Sequence, residues 1–141
     1  MAKTANSCYQ SALGMLARRE HSQLELRQKL TQKDFEQDEI AKAIDTLVNQ
    51  GYQSDERFTE AFIRLRHQQG KGPLKIAVEL KQRGIEHYDL SVFDFFELAS
   101  AVREKKFGTE MPDNYNDRAK QQRFLLSRGF SFEQINTVFK S

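Results

Sequence analysis

Leu80-Lys-Gln-Arg-Gly-Ile-Glu-His-Tyr-Asp-Leu90, or LKQRGIEHYDL, reads as a helix that halts at Gly84 and restarts almost at once. Two other stretches of the 141-residue chain align on it: Leu30-Thr-Gln-Lys-Asp34-Phe35-Glu-Gln-Asp-Glu-Ile40 and Leu125-Leu-Ser-Arg-Gly129-Phe130-Ser-Phe-Glu-Gln-Ile135. In each, apolar residues hold the first, sixth and eleventh places, and Asp or Gly stands just before the middle one. Recurrence at a spacing of about 45 to 50 residues marks an internal structural repeat.

The spacing has a mechanical meaning. If Asp34, Gly84 and Gly129 take the left-handed conformation just past a helix, then Leu30, Leu80 and Leu125 stand at C3, with Phe35, Ile85 and Phe130 at C″. Those two positions touch in a Schellman motif. Phe35, Ile85 and Phe130 also lie five residues ahead of Ile40, Leu90 and Ile135, the geometry of a hydrophobic staple onto the next helix. One apolar residue then pins the end of one helix to the start of another. Asp34 is strained in a left-handed position where Gly is not, so the first corner is expected to be the least rigid.

Other helix signals agree. Ser22 with Glu25 and Ser131 with Gln134 form capping boxes. Ser54 caps a helix whose apolar stripe is Phe58, Ala61, Phe62 and Leu65. Gly70-Lys-Gly-Pro73 ends that helix and opens another with proline in its favoured early position. Gly51 ends a helix carrying Ile40, Ile44 and Leu47, while Phe93, Phe96 and Val102 continue the periodicity. Gly108 to Asn116 is the one clear loop. The expectation is an all-α fold of three tandem three-helix repeats, over 1–54, 55–97 and 98–141. Units this small bury too little surface to stand alone, so they are expected to stack into an elongated, curved array.

Composition narrows the function. With 38% hydrophobic and 30% charged residues, the chain has a core and a wet exterior. No apolar run approaches the ~20 residues of a membrane helix, and MAKTANSCYQ lacks a signal-peptide centre. No membrane association and a cytoplasmic location are expected. Cys8 is the only cysteine, which excludes an internal disulfide and a Cys-based zinc site. His21, His67 and His87 share no metal-ligand spacing and read as surface or partner-contact residues. GKGPLKI lacks the pattern of a phosphate loop and reads as a helix-to-helix connector. Glu36, Asp38 and Glu39 crowd a first helical turn, where they complement the helix dipole. Neither catalysis nor a cofactor is expected.

The net charge of +2 hides alternating blocks: +4 over 1–33, −6 over 34–61, +5 over 62–83, −4 over 84–97 and +3 over 98–141. Such blocks suit a partner that itself carries both signs, although solvated helix faces produce the same pattern. Arg57, Arg64 and Lys71 recur at seven-residue steps, and Lys75, Lys81 and Arg83 extend them into a candidate phosphate-binding stripe, for which a solvated helix face is the alternative. Arg18, Arg19, Arg27 and Lys29 make a second candidate patch, and Arg118, Lys120, Arg123 and Arg128 a third. In a helix-turn-helix reader the helix after the turn enters the major groove. Here the helix expected over Glu86 to Glu97 carries four acids and no Lys or Arg, so any DNA contact should be to the backbone, blind to sequence.

Motifs spread along the chain resemble the RecX family of bacterial recombination regulators. They are Arg19-Glu20-His21-Ser22 followed by Glu25, Leu26, Arg27, Lys29 and Leu30; Leu47-Val-Asn-Gln-Gly51-Tyr52; Asp55-Glu-Arg57-Phe58; Gly72-Pro73-Leu-Lys-Ile76; Glu79-Leu80; Arg83-Gly84-Ile85; and Arg128-Gly129-Phe130. Ser54 and Asp34 stand where that family often has Asp and Gly. The resemblance implies a monomeric, non-enzymatic regulator folded as three-helix repeats. Its implied partner is the RecA recombinase filament, in whose groove it would restrain ATP hydrolysis, strand exchange and co-protease activity. Weak binding to single- and double-stranded DNA is also implied.

Overall fold

The computed structural model describes residues 7–140, and every regular element among them is helical. The helices are α1 (Cys8–Arg18), α2 (Gln23–Gln32), α3 (Gln37–Asn49), α4 (Asp55–Gln68), α5 (Pro73–Gln82), α6 (Phe95–Phe107), α7 (Tyr115–Ser127) and α8 (Phe132–Val138). Ser22 with Glu25 and Ser131 with Gln134 form reciprocal capping boxes, and the Arg57 amide donates to Ser54 Oγ at 3.1 Å. Pro73 is the first residue of α5, and GKGPLKI joins α4 to α5. Ser7 with Gln10, Asp94 and Asn114 supply further N-terminal caps.

The corners form as the spacing requires. Asp34, Gly84 and Gly129 have φ of 69°, 79° and 99°. The amides of Phe35, Ile85 and Phe130 donate to the carbonyls of Leu30, Leu80 and Leu125 at 3.3, 2.9 and 3.2 Å. Gly51 and Gly70 close two more corners of the same kind, through Tyr52 N–H to the Leu47 carbonyl and Lys71 N–H to the Arg66 carbonyl.

The second corner departs from expectation on its far side. No helix follows Ile85: residues 85–94 are irregular, and α6 begins only at Phe95, behind an Asp94 side chain that accepts from the Glu97 amide at 3.0 Å. At the other corners a Glu or Gln three residues past the cap reaches back to the cap amide. Asp89 holds that position here, and it instead accepts from the Ser91 amide at 2.9 Å, a local turn that competes with helix initiation. Ile85 is buried and closes the preceding helix, but Leu90 is not stapled to a new one. Gly108 to Asn116 is thus not the only clear loop, and it is shorter than expected, because α7 starts at Tyr115.

The chain divides into two compact units. The first takes in residues through Phe62 together with Leu80–Glu86. Its main core comes from α1, α2 and α3: Met15, Leu26, Leu30, Ile40, Ile44 and Leu47, with Cys8 and Ala12 buried beside them and Phe35 packed against them. Within the same unit Phe58 stacks on Phe62 at 5.5 Å, and the Arg83 guanidinium lies 4.8 Å from the Phe62 ring centre. The stripe expected on α4 is rotated. Phe58, Thr59, Phe62 and Ile63 are buried, whereas Ala61 is exposed and Leu65 is 48% exposed. Phe58 and Phe62 thus share their face with Thr59 and Ile63, one position further round the helix.

The second unit takes in Ile63–Glu79 and the chain from His87 onward. Phe95 and Ala99 of α6, Leu125 of α7, and Phe130, Ile135 and Val138 around α8 are buried in it. His67 stacks on Phe93 at 4.4 Å. Arg103, only 3% exposed, donates to the Gly108 carbonyl at 2.9 Å and to Gln121 Oε1 at 3.1 Å, tying the loop after α6 to α7. The start of α5 meets the end of α7: Gly72 N–H donates to the Arg128 carbonyl at 2.7 Å and Leu74 N–H to the Gly129 carbonyl at 2.9 Å. Orphan amides of one helix thereby satisfy orphan carbonyls of another. The approach leaves no room for a side chain, since a Cβ at Gly72 would overlap the Gly129 carbonyl.

Gly72→Ala should therefore destabilise the protein by at least about 2 kcal/mol, because backbone must move to admit one methyl group. Gly14→Ala, where a Cβ in the middle of α1 meets nothing within 4 Å, should stabilise it by about 0.5 to 1 kcal/mol. Chemical denaturation of the two variants beside the parent checks both signs.

Candidate functional site

The basic residues singled out by sequence fall into two groups. One group works within the fold of the first unit. Arg19 pairs with Glu25 at 3.1 Å and donates to the Glu20 carbonyl at 2.7 Å. Arg57 pairs with Glu20 at 2.9 Å and donates to the carbonyls of Gly51 and Tyr52, binding the start of α4 to the corner before it. Arg83 lies 3.5 Å from the other oxygen of Glu25. Lys29 donates to Nε2 of His21 at 2.9 Å. In the second unit Arg118 donates to the Phe139 carbonyl at 2.8 Å and sits over that residue's ring.

His21 is not a surface histidine. It is 2% exposed, and its Nδ1–H donates to the Arg19 carbonyl at 3.0 Å. Since Nε2 accepts from Lys29, the ring is assigned as the neutral Nδ1–H tautomer. Burial pushes its pKa down, with the Arg19 and Lys29 charges adding to that and the carbonyl contact opposing it. Burial also acts on Glu25, raising its pKa, but the Arg19 hydrogen bond and the Ser22 amide outweigh it and the carboxyl ends below its usual value. Around these groups, Asp55 accepts from the Gln23 amide and from Gln53, and Gln53 also donates to the His21 carbonyl. The whole is a polar clasp at the start of α2.

The other group is open to solvent. Arg18, Arg27, Arg64, Lys81, Lys120 and Arg123 are exposed and enter no ion pair among the described residues. The seven-residue stripe does not run along one helix, because Lys71 lies beyond the end of α4 at Gln68. Lys71 instead joins Lys75 and Arg128 in the second unit. Partial desolvation and the charges of Lys75 and Arg128 lower the Lys71 pKa, against an opposing pull from Glu79. Glu79 itself is held by Arg66 at 2.7 Å. Residues assigned by sequence to two separate patches are thus brought together, because the Gly72 amide is bonded at the corner that carries Arg128.

Sequence reasoning passed over Lys105 and Lys106, which lie near Phe124, and Arg103, whose burial no local pattern announces. The pair of adjacent lysines was the available signal for the first two. Among the described residues no group of three His, Cys, Asp or Glu side chains could hold a metal ion, and no helix is long and apolar enough to cross a membrane.

Three models of the RecX family match successive parts of the chain: the first three-helix domain over residues 8–47, the second over 54–90 and the third over 94–139. The chain belongs to the RecX family. Regulatory protein RecX of Legionella pneumophila (strain Corby) is 43% identical over 140 residues, covering 94% of this chain and 92% of that protein. Regulatory protein RecX of Halorhodospira halophila is 37% identical over 134 residues, covering 91% and 83%. The crystal structure of RecX from Lactobacillus salivarius superimposes with a TM-score of 0.77 at 25% identity, over 93% of this chain and 91% of that one. This is a family of regulatory proteins, all-helical and built from three-helix domains.

In this RecX chain the stretch from Arg19 to Lys29 is the clasp described above, and its polarity predicts a pH dependence. His21 has a folded pKa below its unfolded value, so its contribution to stability is complete above the unfolded value of about 6.5 and is lost as pH falls through the folded one. Glu25 adds a second loss, as pH falls from about 4.5 through its lowered folded value. Denaturation midpoints should thus decline below about pH 6.5, and His21→Gln should flatten the upper part of that decline. An unchanged slope in the variant would place the titration elsewhere.

Proposed function

We propose that this protein regulates recombination by binding the RecA recombinase, chiefly as its filament on DNA, and by restraining ATP hydrolysis, strand exchange and co-protease activity. The observation that carries the reading is membership of the RecX family along nearly the whole chain. The protein acts as a monomer in the cytoplasm, without cofactor or catalysis of its own. A nucleoprotein filament presents protein patches of both signs and phosphates, and the alternating charge blocks of the sequence suit it.

Contact with DNA in this reading is weak and made to the backbone. The residues after Gly84 that a helix-turn-helix protein would insert into the groove are irregular and acidic, with Glu86 and Asp89 and no Lys or Arg up to Asp94. The cations that gather, Lys71, Lys75 and Arg128, sit where a helix begins and another ends, and such a cluster neutralises phosphate without distinguishing bases. The same cluster favours a second reading, a sequence-independent DNA-binding regulator. That reading requires tight binding to naked duplex, with a steep salt slope.

Titration into a DNA-dependent ATPase assay of the cognate recombinase on single-stranded DNA tests the proposal: ATP hydrolysis should fall at roughly stoichiometric amounts. Lys71→Glu/Lys75→Glu should need at least about tenfold more protein for the same inhibition, at unchanged helical content, and should lower the salt slope of any DNA binding by about 2. Full inhibition by the double variant would move the interface to another face, and no inhibition by the parent would remove the recombinase as partner.

A further inference from the structure

Within the second unit, the end of α4, one side of α6 and the end of α7 enclose a cleft of about 390 Å³. Its composition is divided. Leu98, Ala101 and Val102 of α6 and the ring of Phe124 give it an apolar lining, while Lys105, Lys106 and Arg128 supply three cations. None of these three enters an ion pair among the described residues. Two of them lean on the aromatic wall: Lys106 Nζ and Arg128 Cζ lie 5.4 and 5.1 Å from the Phe124 ring centre. Phe107 meets the same ring edge-on at 5.4 Å.

An apolar hollow edged by unpaired cations is complementary to an apolar group flanked by anions. The volume is near the lower end of ligand pockets, which span about 300 to 1,000 Å³, so it takes one or two side chains and not a whole helix. A phosphodiester backbone needs no hollow, and a nucleobase needs a free aromatic face to stack on. Phe124 offers little of one, since two cations and Phe107 already surround it. The Gln68 amide at the end of α4, donor and acceptor both, suits the N–H and C=O groups of an extended polypeptide, and the Gln69 amide beside it adds a donor, its Oε1 already accepting from Arg66 at 2.8 Å.

We propose that this cleft binds an extended acidic segment of a protein partner, with one bulky apolar side chain seated between α6 and Phe124 and flanking carboxylates on Lys105, Lys106 and Arg128. The assignment deepens the reading of this chain as a protein-binding regulator and rests on it.

The test is a fluorescence-anisotropy titration of the full chain with three labelled probes. They are a short peptide with a central phenylalanine flanked by glutamates, the same peptide with serine at the centre, and an oligothymidylate of equal length. The phenylalanine peptide should bind at least about tenfold tighter than the serine peptide. Lys105→Glu/Lys106→Glu should weaken it by at least about tenfold. Ala101→Trp, at an exposed position on α6, should fill the hollow and abolish the preference for phenylalanine while the circular dichroism spectrum stays the same. Equal affinity for the two peptides, no binding of the phenylalanine peptide, or oligothymidylate binding that Ala101→Trp blocks would each overturn the proposal. The ATPase assay separates its failure from that of the regulatory reading. A protein that inhibits the recombinase and ignores the peptide loses only this site, and one that binds the peptide without inhibiting loses only the recombinase.

Discussion

The structure depends on one hydrogen bond used five times: the amide two residues past a helix's last cap donates back to the carbonyl three residues before its end. The bond closes only if the intervening residue takes a positive φ, which Gly does freely and Asp34 does at some strain. Its effect is to fix where the chain goes next. After Leu30 and Leu125 it turns Phe35 and Phe130 inward and hands the chain to a four-residue capping box, so a new helix starts at once. After Leu80 the same bond forms, but the cap that should follow lacks a side chain able to reach back, and the chain runs irregularly to Asp94.

The corners also decide where positive charge collects. Lys71 follows Gly70 at the end of one corner, and Arg128 precedes Gly129 at another. Gly72, two residues from Gly70, packs its backbone on Gly129, and Lys75 lies against that same glycine. Charges more than fifty residues apart in sequence thus meet because two glycines allow two backbones to touch. An interface built on such a contact keeps its geometry, since the cations are carried by backbone locked in hydrogen bonds and not by a mobile loop.

Basic residues in this chain consequently have two roles that sequence cannot separate. Arg19, Arg57 and Arg83 belong to motifs by which the family is recognised, yet each is paired with a carboxylate inside its own unit. His21, which neighbouring residues gave no reason to bury, sits neutral between a carbonyl and the Lys29 ammonium. For these three arginines, recognisability of the motif goes with holding α2 and α4 in place, whereas Lys71, Lys75, Arg128, Lys105 and Lys106 enter no ion pair among the described residues.

Sequence alone determined what is local. Helical class, the Schellman corners at Asp34, Gly84 and Gly129, the boxes at Ser22 and Ser131 and the Pro73 start were legible because each depends on residues at most six apart. The same reasoning overextended at Glu86 to Glu97, because the alignment of apolar places does not register that Asp89, at the place of Glu39 and Gln134, has a side chain one methylene shorter. Tertiary structure alone decided the rest: that α4 buries Thr59 and Ile63 and leaves Leu65 out, that Arg103 is enclosed, and which cations are spoken for. Those outcomes turn on contacts between residues distant in the chain, such as Gly72 on Gly129 and Arg57 on Glu20, whose energies arise only once both partners are in place and leave no periodic mark on the sequence.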